Sequence, residues 1–179
     1  MAANDESAIR SPIARGSRPD DRRTERLRLR RPTAEDVPAL VAIHTDPRVY
    51  RHSPDGTPSP AKARRMAAGF IDTWERHGIG FWIVEHDGTA VGAVGVKPTR
   101  LAGRDCWNLY FRLVPEVWGQ GLATEAAQEA IVVATELRAG WPVLVATRPG
   151  NDNTVGLAGK LGLTRRPDLD HSGFLLFSS

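Results

Sequence analysis

The passage from residue 114 to residue 126 constrains the fold of this chain more than any other part of its sequence. It reads VPEVWGQGLATEA, in which the end of a predicted strand leads into a turn that contains Gly119 and Gly121. Beyond the turn, apolar residues recur at spacings of three and four, which is typical of a helix that packs by one face. The members of this stripe are Leu122, Ala126, Ala130, Val133 and Leu137. We therefore predict a strand, a glycine turn and a long helix in direct succession.

A turn of this kind favours the binding of an anion. The first turn of a helix leaves backbone N–H groups without partners inside the helix, and the helix dipole adds positive potential there. Glycine at 119 and 121 lets a phosphate approach the main chain without meeting a Cβ atom. The sequence thus predicts a pyrophosphate site, and the structural alternative is a tight turn packed against a neighbour.

Two other nucleotide-binding patterns do not fit the chain. The dinucleotide fingerprint requires a third glycine where Thr124 stands. The run from Gly156 to Lys160 is similar to a P-loop, but Thr154 occupies the position of its first glycine and Leu161 replaces the residue whose hydroxyl binds the metal. Both patterns are therefore excluded.

The remaining hydrophobic pattern alternates between strands and helices. Leu27–Arg30 alternates like a half-buried strand. Thr33 is the predicted N-cap of a first helix, with Asp36 near the helix start, and a second helix is predicted from Pro60 to about His77. Further predicted elements are strands at Phe81–Glu85, Thr89–Val96, Trp107–Val114 and Pro142–Thr147, a short helix at Asn151–Leu161, and two final strands near Thr164 and Phe174. This order predicts an α/β (α+β) domain with a mixed sheet and helices on its faces. We predict a flexible N-terminal tail over residues 1–24 and a single domain over residues 25–179.

Composition narrows the function classes. Hydrophobic residues make up 41% and charged residues 25%, as in ordinary globular enzymes. No apolar stretch is long enough to cross a bilayer and no secretion signal is visible, so we predict a cytoplasmic protein without membrane partners. Cys106 is the only cysteine, which excludes an internal disulfide and a cysteine-based metal cluster. The net charge of +3 is small, and acidic residues nearly balance the N-terminal arginines, so we predict no nucleic-acid partner.

Three motifs together resemble the GNAT family of acetyl-CoA-dependent N-acetyltransferases. The first is the passage from Pro115 to Ala126, which looks most like the branch that acetylates the N-termini (alanine or serine) of ribosomal proteins. The second combines residues 151–154, Asn-Asp-Asn-Thr, with residues 160–163, Lys-Leu-Gly-Leu. The third is the strand Leu27–Pro32 followed by Thr-Ala-Glu-Asp. The resemblance covers the chain from about Leu27 to its end.

The resemblance implies a mixed, mostly antiparallel sheet of six to seven strands, in which the fourth and fifth strands splay apart. The strands at Trp107–Val114 and Pro142–Thr147 would take those places. It also implies acetyl-CoA as co-substrate and no metal. Pantetheine would bind the main chain at Leu113 and Val114, with Asn151 as a further contact. The implied pyrophosphate ligands are the backbone amides of Gln120, Gly121, Leu122, Ala123 and Thr124.

The implied reaction is direct attack of a neutral amine on the thioester in a ternary complex. The resemblance assigns the donor for the developing oxyanion to a backbone N–H near Val114. Thr154 matches a serine that serves near the thiol in the ribosomal-protein branch, and capping of the short helix is its other role. Asn108 aligns with a carboxylate of many relatives, and Ala158 aligns with an acid tyrosine, so both positions depart from the family pattern. The general base is not assigned.

The sequence leaves the acceptor open. Candidates are a protein N-terminus or a small-molecule amine, and the scarcity of acidic residues in the 46–60 loop weakly disfavours polycations. His52 and Asp55 in this loop are weaker candidates for proton transfer, and Arg112 and Arg148 for binding phosphates or an acidic acceptor. The alternative function is a catalytically weak or inactive module that binds or senses acyl-CoA. A longer acyl donor, and a monomer or a homodimer, also stay open.

Overall fold

A computed structural model of the protein describes residues 19–53, 55–170 and 172–179. Within this part of the chain, eight strands form one sheet: β1 (Asp21–Arg23), β2 (Leu27–Arg30), β3 (Phe81–His86), β4 (Thr89–Leu101), β5 (Arg104–Leu113), β6 (Val143–Thr147), β7 (Thr164–Arg165) and β8 (Leu175–Ser178). The α-helices are α1 (Val37–Thr45), α2 (Pro60–His77), α3 (Leu122–Leu137) and α4 (Asp152–Lys160).

The sheet is mixed, as the sequence predicted. Its order is β1-β2-β3-β4-β5-β6-β8-β7, and the described pairs are antiparallel except for β5 and β6. The predicted strands Phe81–Glu85 and Thr89–Val96 are joined by Asp87-Gly88, a sequence typical of a hairpin turn. Both residues have positive φ angles, of 49° and 74°, as a two-residue hairpin loop of type I′ requires. The α/β fold class is therefore confirmed.

The folded part of the chain begins earlier in the sequence than predicted. Asp21–Arg23 forms β1, an edge strand that pairs with β2, although its three charged residues carry no hydrophobic pattern. Contacts distant in sequence hold this segment: the Trp82 indole N–H donates to the Pro19 carbonyl oxygen at 2.7 Å, and Arg22 Nε lies 2.6 Å from a carboxylate oxygen of Glu129. The predicted tail over residues 1–24 is thus wrong from Pro19 onward, and its residues 1–18 lie outside the described residues.

The β4–β5 hairpin is longer than predicted. We ended the first strand at Val96, but β4 continues to Leu101 and pairs with β5 as far as Arg104. Pro98 cannot donate a backbone hydrogen bond, yet it pairs with Trp107, whose N–H donates to the Pro142 carbonyl oxygen on the other side. Pro98 therefore occupies a position of the ladder that needs no donor, and the hairpin continues past it.

The strands β5 and β6 pair only at one end. Their parallel ladder among the described residues joins Trp107 to Val143 and Asn108 to Leu144 and goes no further, although β5 continues to Leu113 and β6 to Thr147. Ala146 is consequently exposed between two buried neighbours. The splayed pair implied by the resemblance is present. Because β1 was not predicted, the described sheet has eight strands instead of the six to seven implied, and the splayed pair is its fifth and sixth strands.

Helices cover both faces of the sheet. On one face, Leu40 of α1 and Ala67 and Phe70 of α2 pack in a cluster that includes Ala93 and contacts Tyr110. On the other face, the stripe of α3 packs against neighbouring strand positions, including Val94 and Leu109. The side chains of β5 therefore point alternately toward α1–α2 and toward α3.

Candidate active site

A cavity of about 690 Å³ occupies the gap between the splayed strands. The segments that line it are the loop residues 48–53 and 55, residues 109–113 of β5, the glycine turn with the start of α3, the end of β6, and residues 151–154 of α4 and its cap. Both faces of β5 reach the cavity, because the sheet is open there. The cavity therefore connects the α1–α2 side of the sheet with the α3 side.

The glycine turn presents free main-chain donors to this cavity. Gly119 and Gly121 have φ angles of +77° and +80°, the left-handed conformation that residues with a side chain rarely adopt. Gly121 is the N-cap of α3 and has no side chain with which to bind the first-turn N–H groups. Because a Cβ atom at Gly119 would meet nothing within 4 Å, the space above the turn is open to a ligand. The turn therefore fits the phosphates of a nucleotide co-substrate.

Four of the five predicted pyrophosphate ligands line the cavity, namely Gly121, Leu122, Ala123 and Thr124. Gln120 does not line it: its carbonyl oxygen accepts a 2.9 Å hydrogen bond from Arg26 Nη1, and its side chain donates to the Glu116 carbonyl oxygen. The structure thus places the main chain from Gly121 to Thr124 at the site, whereas Gln120 is not among the residues that line the cavity.

A contact that the sequence did not reveal supports the start of α3. Glu125 accepts hydrogen bonds from the Thr24 hydroxyl, from the Arg26 backbone N–H at 2.9 Å and from Arg26 Nε at 2.7 Å. These contacts tie the turn between β1 and β2 to the first turn of α3. They lower the pKa of Glu125 against the opposing effect of burial, so this carboxylate is held ionised.

The register of β5 decides which of its N–H groups face the gap. The Val114 N–H donates to the Val91 carbonyl oxygen at 2.8 Å, toward β4. Backbone donors alternate in direction along a strand, and the Trp107 N–H points toward β6, so the N–H groups of Leu109, Phe111 and Leu113 face the gap. Val114 was our predicted oxyanion donor, but its N–H is already used in the sheet. Leu113, the other predicted contact of pantetheine, lines the cavity with its N–H on the correct side.

Asn151 and Thr154 both line the cavity. The Asn151 side-chain oxygen accepts a hydrogen bond from the Thr154 N–H at 3.4 Å, so Asn151 is the N-cap of α4. Capping was the structural alternative for Thr154, and the structure gives that role to Asn151. The Thr154 hydroxyl is therefore not needed to begin the helix.

Asn108 stands apart from the cavity. It pairs with Lys97 and with Leu144 at the last rung of the parallel ladder and is not among the lining residues. Tyr110, two residues further along the same face of β5, lines the cavity instead. The residue type at Asn108 therefore bears less on the chemistry than we expected from the sequence.

A buried histidine connects two tyrosines beside the cavity. His44 Nδ1 lies 2.6 Å from the Tyr50 hydroxyl, and His44 Nε2 lies 3.4 Å from the Tyr110 hydroxyl. Burial lowers the pKa of His44 to about 4, with a smaller contribution from the positive charge of Arg112. The ring is therefore neutral near pH 7, and a proton on Nε2 lets it accept from Tyr50 and donate to Tyr110.

Burial also raises the pKa of Tyr50 and of Tyr110, so both hydroxyls stay protonated. Both tyrosines line the cavity, whereas His44 does not. In the sequence, His44 follows Leu40 and Val41 at helical spacing, which predicts its position on α1. No sequence pattern indicates Tyr50, because only the folding of the loop after α1 brings the two side chains together.

The cavity also contains the weaker candidates for proton transfer and for binding of phosphates or an acidic acceptor. His52 and Asp55 line the cavity, as do Arg112 and Arg148. Arg148 Nη1 donates to the Ser172 carbonyl oxygen at 2.7 Å, and its guanidinium lies 3.7 Å from the centroid of the Phe174 ring.

Within the described residues, no three His, Cys, Asp or Glu side chains come together as a metal site would require. Among the same residues, no helix has the length and apolar character needed to span a membrane.

A family model and a curated protein of low sequence identity match this chain. The family model described as Acetyltransferase (GNAT) domain matches residues 26–164. The uncharacterized protein YkkB of Bacillus subtilis (strain 168) is 24% identical over 147 residues, which cover 78% of this chain and 83% of YkkB. The resemblance noted in the sequence is thereby confirmed at the level of the family.

Solved structures of acetyltransferases are similar in fold to this chain. An acetyltransferase from Agrobacterium tumefaciens str. C58 has a TM-score of 0.78 at 23% identity, covering 89% of this chain and 93% of that one. RimL, a ribosomal L7/L12 alpha-N-protein acetyltransferase solved in complex with coenzyme A, has a TM-score of 0.69 at 16% identity, covering 87% and 94%. At these identities the likeness shows the shared fold alone.

Proposed function

Because this chain belongs to the GNAT family of acetyltransferases and is an acyltransferase, we propose that it transfers the acetyl group of acetyl-CoA to a primary amine while both substrates are bound. One observation carries the proposal: the gap between β5 and β6 leads directly to the uncapped N-terminus of α3. An extended pantetheine fits the gap, and a pyrophosphate fits the amides beyond it.

Acetyl-CoA supplies an activated thioester, whose carbonyl carbon is attacked by the amine and whose sulfur departs as a thiolate. We assign the hydrogen bond to the carbonyl oxygen to the Leu113 N–H, which faces the gap where the Val114 N–H does not. Such a donor favours the charge that develops on oxygen during attack. Leu113 thus takes the role that we had predicted for Val114.

The Thr154 hydroxyl is our candidate for the sulfur side of the reaction. It belongs to a buried residue that lines the cavity at the start of α4, and Asn151 already performs the capping. A hydroxyl donor stabilises a departing thiolate and gives it access to a proton. β5 contributes no carboxylate to the cavity. The acceptor of the amine proton is therefore water from the open side, or His52 or Asp55 of the loop that lines the cavity.

We propose that the protein acts in the cytoplasm on a small-molecule amine or on a protein N-terminus. RimL acts on a ribosomal protein, and its similarity in fold makes peptide N-termini a reasonable first panel. Both acceptor types present a primary amine on a flexible chain, which the wide cavity admits.

A module that binds acyl-CoA without catalysis is the second candidate. The observation in its favour is that the cavity-lining residues of β5 include no carboxylate, together with Ala158, which is fully buried where relatives carry an acid tyrosine. Water suffices as proton acceptor in this chemistry, so neither feature excludes turnover.

The test is a product assay with acetyl-CoA and a panel of amino acids, peptides and polyamines. Free thiol and acetylated amine should appear in equal amounts, as measured by a thiol reagent and by mass spectrometry. Release of thiol without acetylated amine, or binding of acetyl-CoA without either product, would favour the second candidate.

A further inference from the structure

We propose that the acceptor carries a carboxylate close to its primary amine, and that Arg112 binds this carboxylate. The inference rests on the proposed function and names the class of acceptor for the same site. It starts from a pocket-lining arginine whose surroundings consist of neutral aromatic side chains.

The position of Arg112 is fixed by aromatic rings. Its guanidinium carbon lies 4.0 Å from the centroid of the Tyr50 ring and 5.6 Å from that of Tyr110. A guanidinium over a ring is held by cation–π attraction, and Arg112 also makes a hydrogen bond with the Tyr50 side chain. Its other N–H groups are left to bind a planar anion by two parallel hydrogen bonds. His44, which contacts both tyrosines, is neutral and adds no negative charge.

Arg112 has no carboxylate partner among the described residues, whereas several other arginines of the chain have one. Arg26 pairs with Glu125, Arg30 with Asp36, and Arg48 with Asp46 and Glu116. A half-buried guanidinium without a counter-ion is a costly arrangement unless a ligand supplies the charge.

The charge of the whole cavity agrees with an acidic acceptor. Only two of the described lining residues are carboxylates, Asp55 and Asp152, and Asp152 is in the first turn of α4. Five lining residues are basic: Arg48, Arg51, Arg112, Arg148 and Lys160. A polycationic acceptor would be repelled by this lining.

Arg112 lies on the acceptor side of the thioester position. Its side chain shares the face of β5 that carries Tyr110, toward α1–α2, whereas α3 and its pyrophosphate site are on the other face. Arg112 also directly precedes Leu113, whose N–H faces the gap. A carboxylate held by Arg112 would therefore bring an amine of the same small molecule close to the thioester.

Free amino acids and peptides with an acidic first residue share this chemistry. The test compares matched pairs: amino acids against their C-terminal amides, and Asp-Ala-Ala-amide against Asn-Ala-Ala-amide. For each pair, the ratio of kcat/KM for the acid over the amide is measured in the unaltered protein, in Arg112→Gln and in Arg112→Lys. Differences in amine basicity cancel when the same ratio is compared between variants.

We expect Arg112→Gln to lower the ratio of the preferred pair by about 10- to 100-fold, as for loss of a charge-assisted hydrogen bond. Arg112→Lys should restore part of it, because a lysine keeps the charge but not the planar fork. The matched control is Arg65→Gln on the exposed side of α2, which removes one positive charge away from the cavity and should keep the ratio. If the ratio falls for amino acids and their amides, the carboxylate is that of a free amino acid. If it falls for the Asp and Asn peptides, the carboxylate is an acidic side chain of the first residue.

The inference would be overturned if the protein acetylated amides as well as acids and if the acid-to-amide ratio of kcat/KM were unchanged in Arg112→Gln. That result would leave the proposed function intact. Absence of acetylation for every amine, with acetyl-CoA still bound, would instead overturn the proposed function. Equal loss of the ratio in Arg65→Gln would also overturn the inference, because net charge and not Arg112 would then set the preference.

Discussion

The indole N–H of Trp118 donates a 2.8 Å hydrogen bond to the carbonyl oxygen of Leu113. This bond joins the glycine turn to the end of β5, five residues earlier, at the point where the strand opens toward β6. Trp118 is 39% exposed, and the guanidinium of Arg51 lies 5.3 Å from its ring centroid. The loop after α1, the end of β5 and the glycine turn are thus held to one another at a single residue.

Replacing Trp118 by phenylalanine keeps a ring but removes the donor to Leu113. The loss of one such hydrogen bond, about 1 kcal/mol, lets the turn move relative to the gap. We expect the dissociation constant of acetyl-CoA to rise about 3- to 10-fold, as measured by calorimetry. Trp141→Phe is the matched control, because Trp141 packs against Trp107 away from the cavity. Equal effects of the two changes would refute a local role for the bond.

Thr154→Ala tests the assignment on the sulfur side. We expect kcat to fall by about 10- to 100-fold, with little change in the KM for acetyl-CoA, because the hydroxyl acts on the departing thiolate. Thr154→Ser should retain most of the rate. Thermal unfolding provides the control: Asn151 caps α4, so Thr154→Ala should leave the helix in place. An unchanged kcat in the alanine variant would rule out the assignment.

His44 should make folding stability depend on pH. Its pKa in the folded protein is lowered to about 4, so between pH 4 and 6.5 the unfolded chain binds the proton that the folded chain does not. Stability is therefore complete above about pH 6.5 and decreases as the pH falls toward 4, by about 2 kcal/mol at pH 5. Urea unfolding at pH 7.5 and pH 5 measures this difference.

The difference between the two pH values should shrink in His44→Gln, whatever the absolute stability of that variant. His52→Gln, which changes an exposed histidine, should preserve it. A His44→Gln protein with the same loss of stability at pH 5 would show that other groups cause the pH dependence.

Elements with strong local signals were predicted well from the sequence. The helix α2 begins and ends where predicted, because Ser59 accepts from the Lys62 N–H at its start and Gly78 adopts the left-handed conformation at its end. The glycine turn and α3 were also evident. In contrast, β1 depends on Trp82 and Glu129, which are distant in sequence, so its charged residues gave no local sign of a strand.

The candidate site was predicted in its main-chain part and missed in its side-chain part. The amides at the start of α3 follow from the motif itself. Whether Val114 or Leu113 turns its N–H toward the gap depends on the β4–β5 register, which no pattern within one strand reveals. The contact between Tyr50 and His44 depends on the path of the loop after α1. The same loop places the Tyr50 ring against the guanidinium of Arg112.

The most direct test of the central claim is thermal unfolding with and without acetyl-CoA, with ATP and NAD as controls. At about a hundredfold above its dissociation constant, acetyl-CoA should add about 2.7 kcal/mol to the free energy of unfolding, a rise in Tm of about 5 to 10 °C. Gly121→Glu should abolish the shift, because its side chain places a negative charge at the first-turn amides of α3. Gly140→Glu, the same change beyond the end of α3, should retain it. No shift with acetyl-CoA, or a shift of equal size with ATP, would contradict the account.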